Sequence, residues 1–233
     1  MILYIVRHGD PDYAHDSLTE KGVEQAERLS LRMAGKNIDD FYVSPLGRAK
    51  RTIEPTLRRV NKEAKVLDWI REFPANVNNE PFRGELGEEP KSLCPWDIPD
   101  WYWKRFPESF SPTEWQKVPV FRDSKVPQVY ESTKESLWEL LGTYGLQADG
   151  NLFRAAPSYD PEKRIAFFCH QGMGLALVSI LTCTPLPVAF MNYFLSPSSV
   201  TKVEFRPTRG RTDLISAKVM YLGDLSHLSV TRD

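Results

Sequence analysis

Two short apolar runs, far apart in the chain, each end in a histidine with a glycine close behind. The first is Ile2-Leu3-Tyr4-Ile5-Val6, closed by Arg7-His8-Gly9. The second is Ile165-Ala166-Phe167-Phe168-Cys169, closed by His170-Gln171-Gly172. Runs this short, apolar throughout and rich in β-branched and aromatic residues, read as strands buried on both faces. Such strands belong to sheets covered by helices on both sides. The following residues supply the helices. Thr19 is a good N-cap with Glu20 in the first turn, and Val23, Ala26, Leu29, Met33 and Ala34 recur at helical spacing up to Gly35. After the second histidine, Leu175 to Leu181 continue as an apolar helix.

The same alternation fills most of the chain. Phe41-Tyr42-Val43 reads as a second strand. Ser44-Pro45 reads as N-cap and first residue of a helix that carries Arg48, Arg51, Ile53 and Leu57. Lys65 to Trp69 resembles a third strand. A helical pattern runs from Val126 to Tyr144, and two more strands are expected at Val200–Phe205 and Leu214–Tyr221. Strands alternating with helices predict an α/β class chain: a three-layer α/β/α sandwich with a mostly parallel central sheet. Its 233 residues suit a single domain, 1–233. Residues 73 to 126 break the pattern. They are dense in proline and hold Trp96, Trp101, Trp103 and Trp115 with Tyr102, Phe106 and Phe110. A disordered linker does not keep so many large aromatics, so this stretch reads as an aromatic-rich insertion. Its rings form either a lid or pocket wall, or a small core of their own.

Charge narrows the choice of ligand. Thirty basic and 31 acidic side chains leave a net charge of −1, so no global field draws nucleic acid or an anionic membrane. Attraction for an anion has to be local. Cys169 and Cys183 sit in apolar runs and read as reduced, buried small hydrophobes. There is no Cys-x-x-Cys spacing and no metal-ligand signature, so no metal and no cofactor are expected. Residues 1 to 6 are too few for a leader or a membrane span, and a cytoplasmic chain is expected.

The chemistry follows from where the histidines fall. Open α/β sheets bind ligands beyond the carboxyl ends of their strands, and His8 and His170 both lie at such ends. If the two strands are neighbours, both imidazoles face one site. A neutral imidazole, with an ordinary pKa of about 6.5, is a usable nucleophile near neutral pH. Attack on phosphorus needs the equatorial oxygens neutralised, which a planar guanidinium does well. Arg7 supplies one, and Arg48, near a helix N-terminus that itself favours anions, supplies a second. Arg51, one turn further, competes for that role. His170 would hold another phosphoryl oxygen.

The motifs around these residues are similar to those of the histidine phosphatase superfamily, in its phosphoglycerate-mutase-like branch. Arg7-His8-Gly9 is followed by Leu18-Thr19-x-x-Gly22-x-x-Gln25-Ala26, and Ser44-x-Leu46-x-Arg48-Ala49-x-x-Thr52 resembles the family's arginine helix. His170 in a strand-to-helix turn matches the second histidine. These motifs span residues 1 to 57 and 163 to 182 and leave the middle uncovered. The resemblance selects Arg48 over Arg51. It implies a phosphohistidine on His8, electrostatics carried by Arg7, Arg48 and His170, and a carboxylic acid that protonates the leaving alkoxide. In this branch the acid is a Glu shortly after the third strand, which selects Glu72 in Ile70-Arg71-Glu72, with Glu85 as the alternative. Phe73-Pro74-Ala75-Asn76-Val77 departs from the family's continuation. The other branch places an Asp directly after the second histidine, and here that residue is Gln171.

The implied function is hydrolysis of a small phosphorylated metabolite as a metal-independent phosphomonoesterase. Two alternatives stand beside it. One is a cofactor-dependent phosphoglycerate mutase, although mutases of the family carry Arg-His-Gly-Glu-Ser-x-Trp-Asn where this chain has Asp10-Pro11-Asp12-Tyr13-Ala14 after Gly9. The other is a catalytically silent relative that binds a phosphorylated ligand. Specificity is expected from residues 73 to 126, with Arg83 and Lys91 as candidates for a second anionic group. The expected partner is the small phosphorylated substrate, with a homodimer left open, and neither nucleic acid nor membrane.

Overall fold

The computed structural model describes residues 1–87 and 91–229. Eight strands form the main sheet: β1 (Ile2–Arg7), β2 (Asp40–Val43), β3 (Ala64–Val66), β4 (Leu146–Asp149), β5 (Leu152–Ala155), β6 (Arg164–Cys169), β7 (Val200–Thr208) and β8 (Arg211–Asp224). The helices of seven residues or more are α1 (Glu20–Ala34), α2 (Gly47–Val60), α3 (Val126–Thr143), α4 (Gln171–Thr182) and α5 (Leu186–Asn192). The strand order is β3-β2-β6-β1-β7-β8-β5-β4.

Alternation along β1 sets the layers. Leu3 and Ile5 point into one core with Phe167, Leu137 and Leu141 of α3, and Met173, Leu175 and Leu177 of α4. Tyr4 and Val6 point into the other, with Leu29 and Met33 of α1 and Ala49 and Ile53 of α2. The sheet is therefore covered on both faces, and the three-layer α/β/α arrangement holds. Parallel pairing holds in only half of it. β3, β2, β6 and β1 run parallel, whereas β7, β8, β5 and β4 join by antiparallel pairs. The cause is local: β4–β5 and β7–β8 are hairpins closed through Gly150 and Gly210, both at positive φ. The β4–β5 hairpin carries Gln147, Asp149 and Arg154 among its residues, and no apolar run announces it.

The register of β1 on β6 matters most for the site. Val6 lies opposite Phe168 and Arg7 opposite Cys169, so the next residue of each strand is a histidine, and the two stand side by side. Helix α1 begins as its sequence requires, with Thr19 Oγ1 accepting from the Gly22 N–H at 3.1 Å. Val23, however, is exposed, and the buried face is Gly22, Gln25, Ala26, Leu29, Ser30 and Met33. Helix α4 is buried from Gln171 to Leu181, because the sheet lies on one side of it and α3, α5 and the insertion on the others. Cys169 is buried, but Cys183 is only half-buried, in the left-handed position that ends α4.

The described residues between 73 and 126 are mostly short turns, several with proline at their first positions, such as Pro95–Asp97, Pro107–Phe110 and Pro119–Phe121. Trp103, Trp115 and Phe121 are fully buried and pack edge-on or tilted against one another. They belong to the same core that covers α4 and the sheet. Trp96 has a different place, on the first turn of α4.

Candidate active site

The glycines of the sequence motifs mark a close approach of backbones. The loop after β1 folds back onto the start of α1. A Cβ on Gly9 would lie 2.8 Å from the Gly22 carbonyl oxygen, and one on Gly22 would lie 2.2 Å from the Asp10 carbonyl oxygen. Any side chain at either position would push the loop off the helix. Gln25 completes the contact by accepting from the Asp10 N–H at 2.7 Å, and Thr19 Oγ1 donates to Asp10 Oδ2 at 2.8 Å. The motif Leu-Thr-x-x-Gly-x-x-Gln-Ala is thus the surface on which the histidine loop rests.

This support orients His8. Its N–H donates to the Cys169 carbonyl at 3.0 Å and its own carbonyl accepts from the Ser198 N–H at 2.8 Å. Gly9 N–H donates to Thr52 Oγ1 on α2 at 2.9 Å. The Gly9 carbonyl lies 2.7 Å from His8 Nδ1, and because a carbonyl only accepts, Nδ1 carries the hydrogen. Nε2 keeps its lone pair. Burial, aided by Arg7 and Arg48, pushes the His8 pKa down to about 4, so the imidazole is neutral near pH 7.

His170, the residue before α4, stands with its ring centre 5.1 Å from that of His8. Burial and the neighbouring His8 and arginines push its pKa down to about 2. Ser44 Oγ lies 2.7 Å from His170 Nε2 and also accepts from the Leu46 N–H at 3.2 Å. Ser44 is therefore not the N-cap that the sequence suggests. Helix α2 starts at Gly47 with Leu46 in the cap position, which leaves the serine hydroxyl to the histidine.

The two arginines are held by different partners. Arg7 Nη1 donates to Gln171 Oε1 and to the Leu195 carbonyl, so Gln171 holds Arg7 where another family branch has an acid. Arg48 Nη1 donates to Asp16 Oδ1 at 2.7 Å, and the Gly47 N–H donates to Asp16 Oδ2 at 2.6 Å. Burial opposes ionisation of Asp16, but these donors outweigh it and hold its carboxyl below the usual range. Arg48 is the inward arginine: its side chain is 11% exposed, against 59% for Arg51, which pairs with Glu54 on the outer face. Arg7 Nε, Arg48 Nε and His170 Nδ1 are buried without a hydrogen-bond partner. Buried polar nitrogens are seldom left so. With the Ser44 hydroxyl donating to His170 Nε2, Nδ1 carries the hydrogen, and the set of three donors suits an anion with several oxygens.

Glu72 meets the same site. Its Oε1 accepts from the Phe73 N–H at 2.9 Å and from the Met173 N–H at 3.1 Å in the first turn of α4. Burial raises its pKa, and the two N–H groups, Arg48 and Arg7 only partly offset that. Glu85 lies on the exposed turn Arg83–Leu86, with no hydrogen bond to a site residue. Arg83 and Lys91 are exposed too, and no described contact brings them to the histidines. Among the described residues no cluster of three or more His, Cys, Asp or Glu is placed to hold a metal ion, and no helix is long and apolar enough to cross a membrane.

Sequence reasoning missed the residues that hold these groups: Asp16 on Arg48, Ser44 on His170, Thr52 under Gly9 and Ser198 behind His8. It also missed two exposed aromatics beside the arginines. Tyr13, 68% exposed, has the Arg48 guanidinium 5.5 Å from its ring centre, and Phe194, 63% exposed, has that of Arg7 at 5.7 Å. The insertion reaches the site through Trp96. A Cβ on Gly172, two residues after His170, would lie 2.0 Å from the Trp96 ring.

Comparison with known proteins bears on the family and the fold. The model of the histidine phosphatase superfamily (branch 1) matches residues 3–117. A stretch of 95 residues is 34% identical to 2,3-bisphosphoglycerate-dependent phosphoglycerate mutase 2 of Bacteroides thetaiotaomicron, spanning 36% of this chain and 36% of that protein. The fold resembles mycobacterial glucosyl-3-phosphoglycerate phosphatase, with a TM-score of 0.61 and 16% identity over 95% of this chain and 98% of that one. It also resembles a His-to-Ala mutant of phosphoserine phosphatase from Entamoeba histolytica in complex with phosphoserine, with a TM-score of 0.62 and 17% identity over 98% and 99%. The chain is a member of the histidine phosphatase superfamily.

Proposed function

We propose that this protein is a phosphomonoester hydrolase that works through a phosphohistidine on His8 Nε2. One observation carries the reading. The neutral His8 has its Nδ1 committed to the Gly9 carbonyl, and it shares the site with three buried donor atoms without partners, on Arg7, Arg48 and His170. That is a nucleophile beside a receptor for phosphoryl oxygens.

The lone pair of His8 Nε2 attacks phosphorus, and the bond from phosphorus to the ester oxygen breaks. Glu72, whose protonated form burial favours, gives its proton to the departing alkoxide. The resulting carboxylate then takes a proton from water as the water oxygen attacks phosphorus. The P–N bond breaks, phosphate leaves, and both residues return to their starting states. Arg7, Arg48 and His170 hold the equatorial oxygens throughout, so the scheme assigns the electrostatic work to side chains and no step to a metal. His170 is neutral and serves as a donor, which spares His8 a second cation at close range.

The whole chain acts as one domain in this reading, with residues 73–126 as the wall over the leaving group. Trp96 on Gly172 supports this, as does the packing of Phe73 and Trp96 on Phe190. A small phosphorylated metabolite is the expected substrate. A mutase activity is favoured by the stretch shared with the Bacteroides mutase, but Tyr13 and Ala14 stand where the mutase motif has Trp and Asn. The deciding assay offers a panel of phosphorylated metabolites, and separately 3-phosphoglycerate with catalytic bisphosphate. Release of inorganic phosphate without isomerisation is expected. Robust isomerisation, or no turnover of any ester including p-nitrophenyl phosphate, would sink the hydrolase reading.

A further inference from the structure

The backbone of His8 is held from behind by a turn whose conformation serine disfavours. The Ser198 N–H donates to the His8 carbonyl at 2.8 Å, and the Ser199 carbonyl accepts from the Arg7 N–H at 3.1 Å. Ser198 has a φ of 68° and is fully buried. Glycine is the default residue in that left-handed region, so a buried serine there points to a use for the hydroxyl. Ser198 Oγ lies 2.9 Å from His227 Nε2.

The hydrogen on His227 can be placed. Arg32 Nη1 lies 3.2 Å from His227 Nδ1. A guanidinium only donates, so Nδ1 accepts, and Nε2 carries the hydrogen that goes to Ser198 Oγ. Arg32 extends from α1 and also pairs with Asp224 at 2.5 Å. Asp224 in turn accepts from the Ser226 N–H at 3.1 Å, and Arg28 donates to the Leu228 carbonyl at 3.3 Å. The turn Ser226–Leu228 is thereby pinned to the helix that also supports the histidine loop. Burial and Arg32 push the His227 pKa down to about 4, so the donor arrangement holds near neutral pH.

We propose that His227 and Ser198 form a latch through which the C-terminal turn positions the nucleophile: His227 Nε2–H fixes Ser198, and the Ser198 N–H fixes the His8 carbonyl. Both are positioning residues, because neither touches the reacting atoms. The inference rests on the phosphohistidine reading of His8 and adds to it what aims the ring.

Ser198→Gly separates positioning from stability. Glycine keeps the N–H that binds His8 and removes the backbone strain, but it drops the hydroxyl. The latch predicts a thermal midpoint unchanged or raised, with kcat on p-nitrophenyl phosphate lowered about tenfold and KM changed by less than about twofold. His227→Ala should lower kcat likewise. His227→Gln should recover most of it, since the amide can donate to Ser198 and accept from Arg32. Wild-type kcat in both Ser198→Gly and His227→Ala would overturn the proposal. So would a loss that follows the unfolded fraction and that glutamine does not restore. His8→Ala is the control: if it turns over, the phosphohistidine reading has failed and not the latch. The latch is then judged by hydrogen exchange at the Ser198 amide, which should be faster in His227→Ala, and equal exchange would overturn it.

Discussion

His8 is neutral because it is buried beside two guanidiniums, and the same burial sets where its activity is lost in acid. As pH falls through about 4 the ring takes a proton and Nε2 loses its lone pair, so kcat/KM should decline there rather than near 6.5. In the proposed scheme Glu72 sets the opposite limb. It acts as an acid only while protonated, and its raised pKa keeps it so at higher pH than a solvated glutamate. Turnover of alkyl phosphates should therefore fall as pH rises through that value, and pH–rate profiles on an alkyl and an aryl ester check both limbs. Glu72→Gln should cost about 10²- to 10⁴-fold on alkyl esters. On p-nitrophenyl phosphate it should spare the first release of nitrophenol, whose leaving group needs no proton, and slow the later hydrolysis of the phosphohistidine. Glu85→Gln should cost nothing. His8, Arg7, Arg48 and His170 were legible in the sequence because each sits inside a motif. Ser44 and Asp16 were not, because their partners His170 and Arg48 lie 126 and 32 residues away. Nothing near a serine in the sequence tells a capping hydroxyl from one that serves a distant histidine.

At the scale of elements, the site is three loops, each held against a helix end. Asp16 ties the loop after β1 to the start of α2 and fixes Arg48 in the process. Asp16→Ala should free that guanidinium and raise KM for phosphate esters by about three- to tenfold, with the fold intact by circular dichroism. The first turn of α4 is wedged between Glu72 and Trp96. Gly172→Ala places a methyl group inside the Trp96 ring, so the insertion must move. Overpacking of this kind costs about 1–3 kcal/mol, and the variant should melt lower and bind substrate more weakly. The strands and long helices were readable from periodicity, since β1, β6 and α1 carry unbroken patterns. The insertion was not, because short turns between prolines have no period, and only their aromatic content signalled that they pack. The β4–β5 hairpin escaped for a related reason: its alternation is diluted by polar residues.

For the molecule as a whole, three histidines with lowered pKa values make stability fall in acid. His8, His170 and His227 are neutral in both folded and unfolded chains above about pH 6.5, so they contribute no slope there. Below that the unfolded chain takes up protons that the folded one refuses until about pH 4 for His8 and His227 and about pH 2 for His170. Stability should thus drop as pH falls from about 6.5 toward 4. Thermal melts in phosphate-free buffer measure the slope, and His8→Ala should flatten it. Inorganic phosphate at 100 times its Kd should raise stability by about 2.7 kcal/mol at pH 7. The three-layer architecture was legible at this scale because buried strands demand two helical layers. The antiparallel half was not, since strand direction depends on hairpins that composition alone does not reveal.

The central claim is that His8 carries the phosphoryl group. Rapid acid-free quenching of a good substrate, followed by mass analysis of the peptide around residue 8, tests it directly. The wild type should show an acid-labile, base-stable phosphoryl adduct on His8 that forms before steady state, and His8→Ala should show neither adduct nor turnover. Steady hydrolysis by His8→Ala, or a wild-type adduct on another residue, would contradict the account.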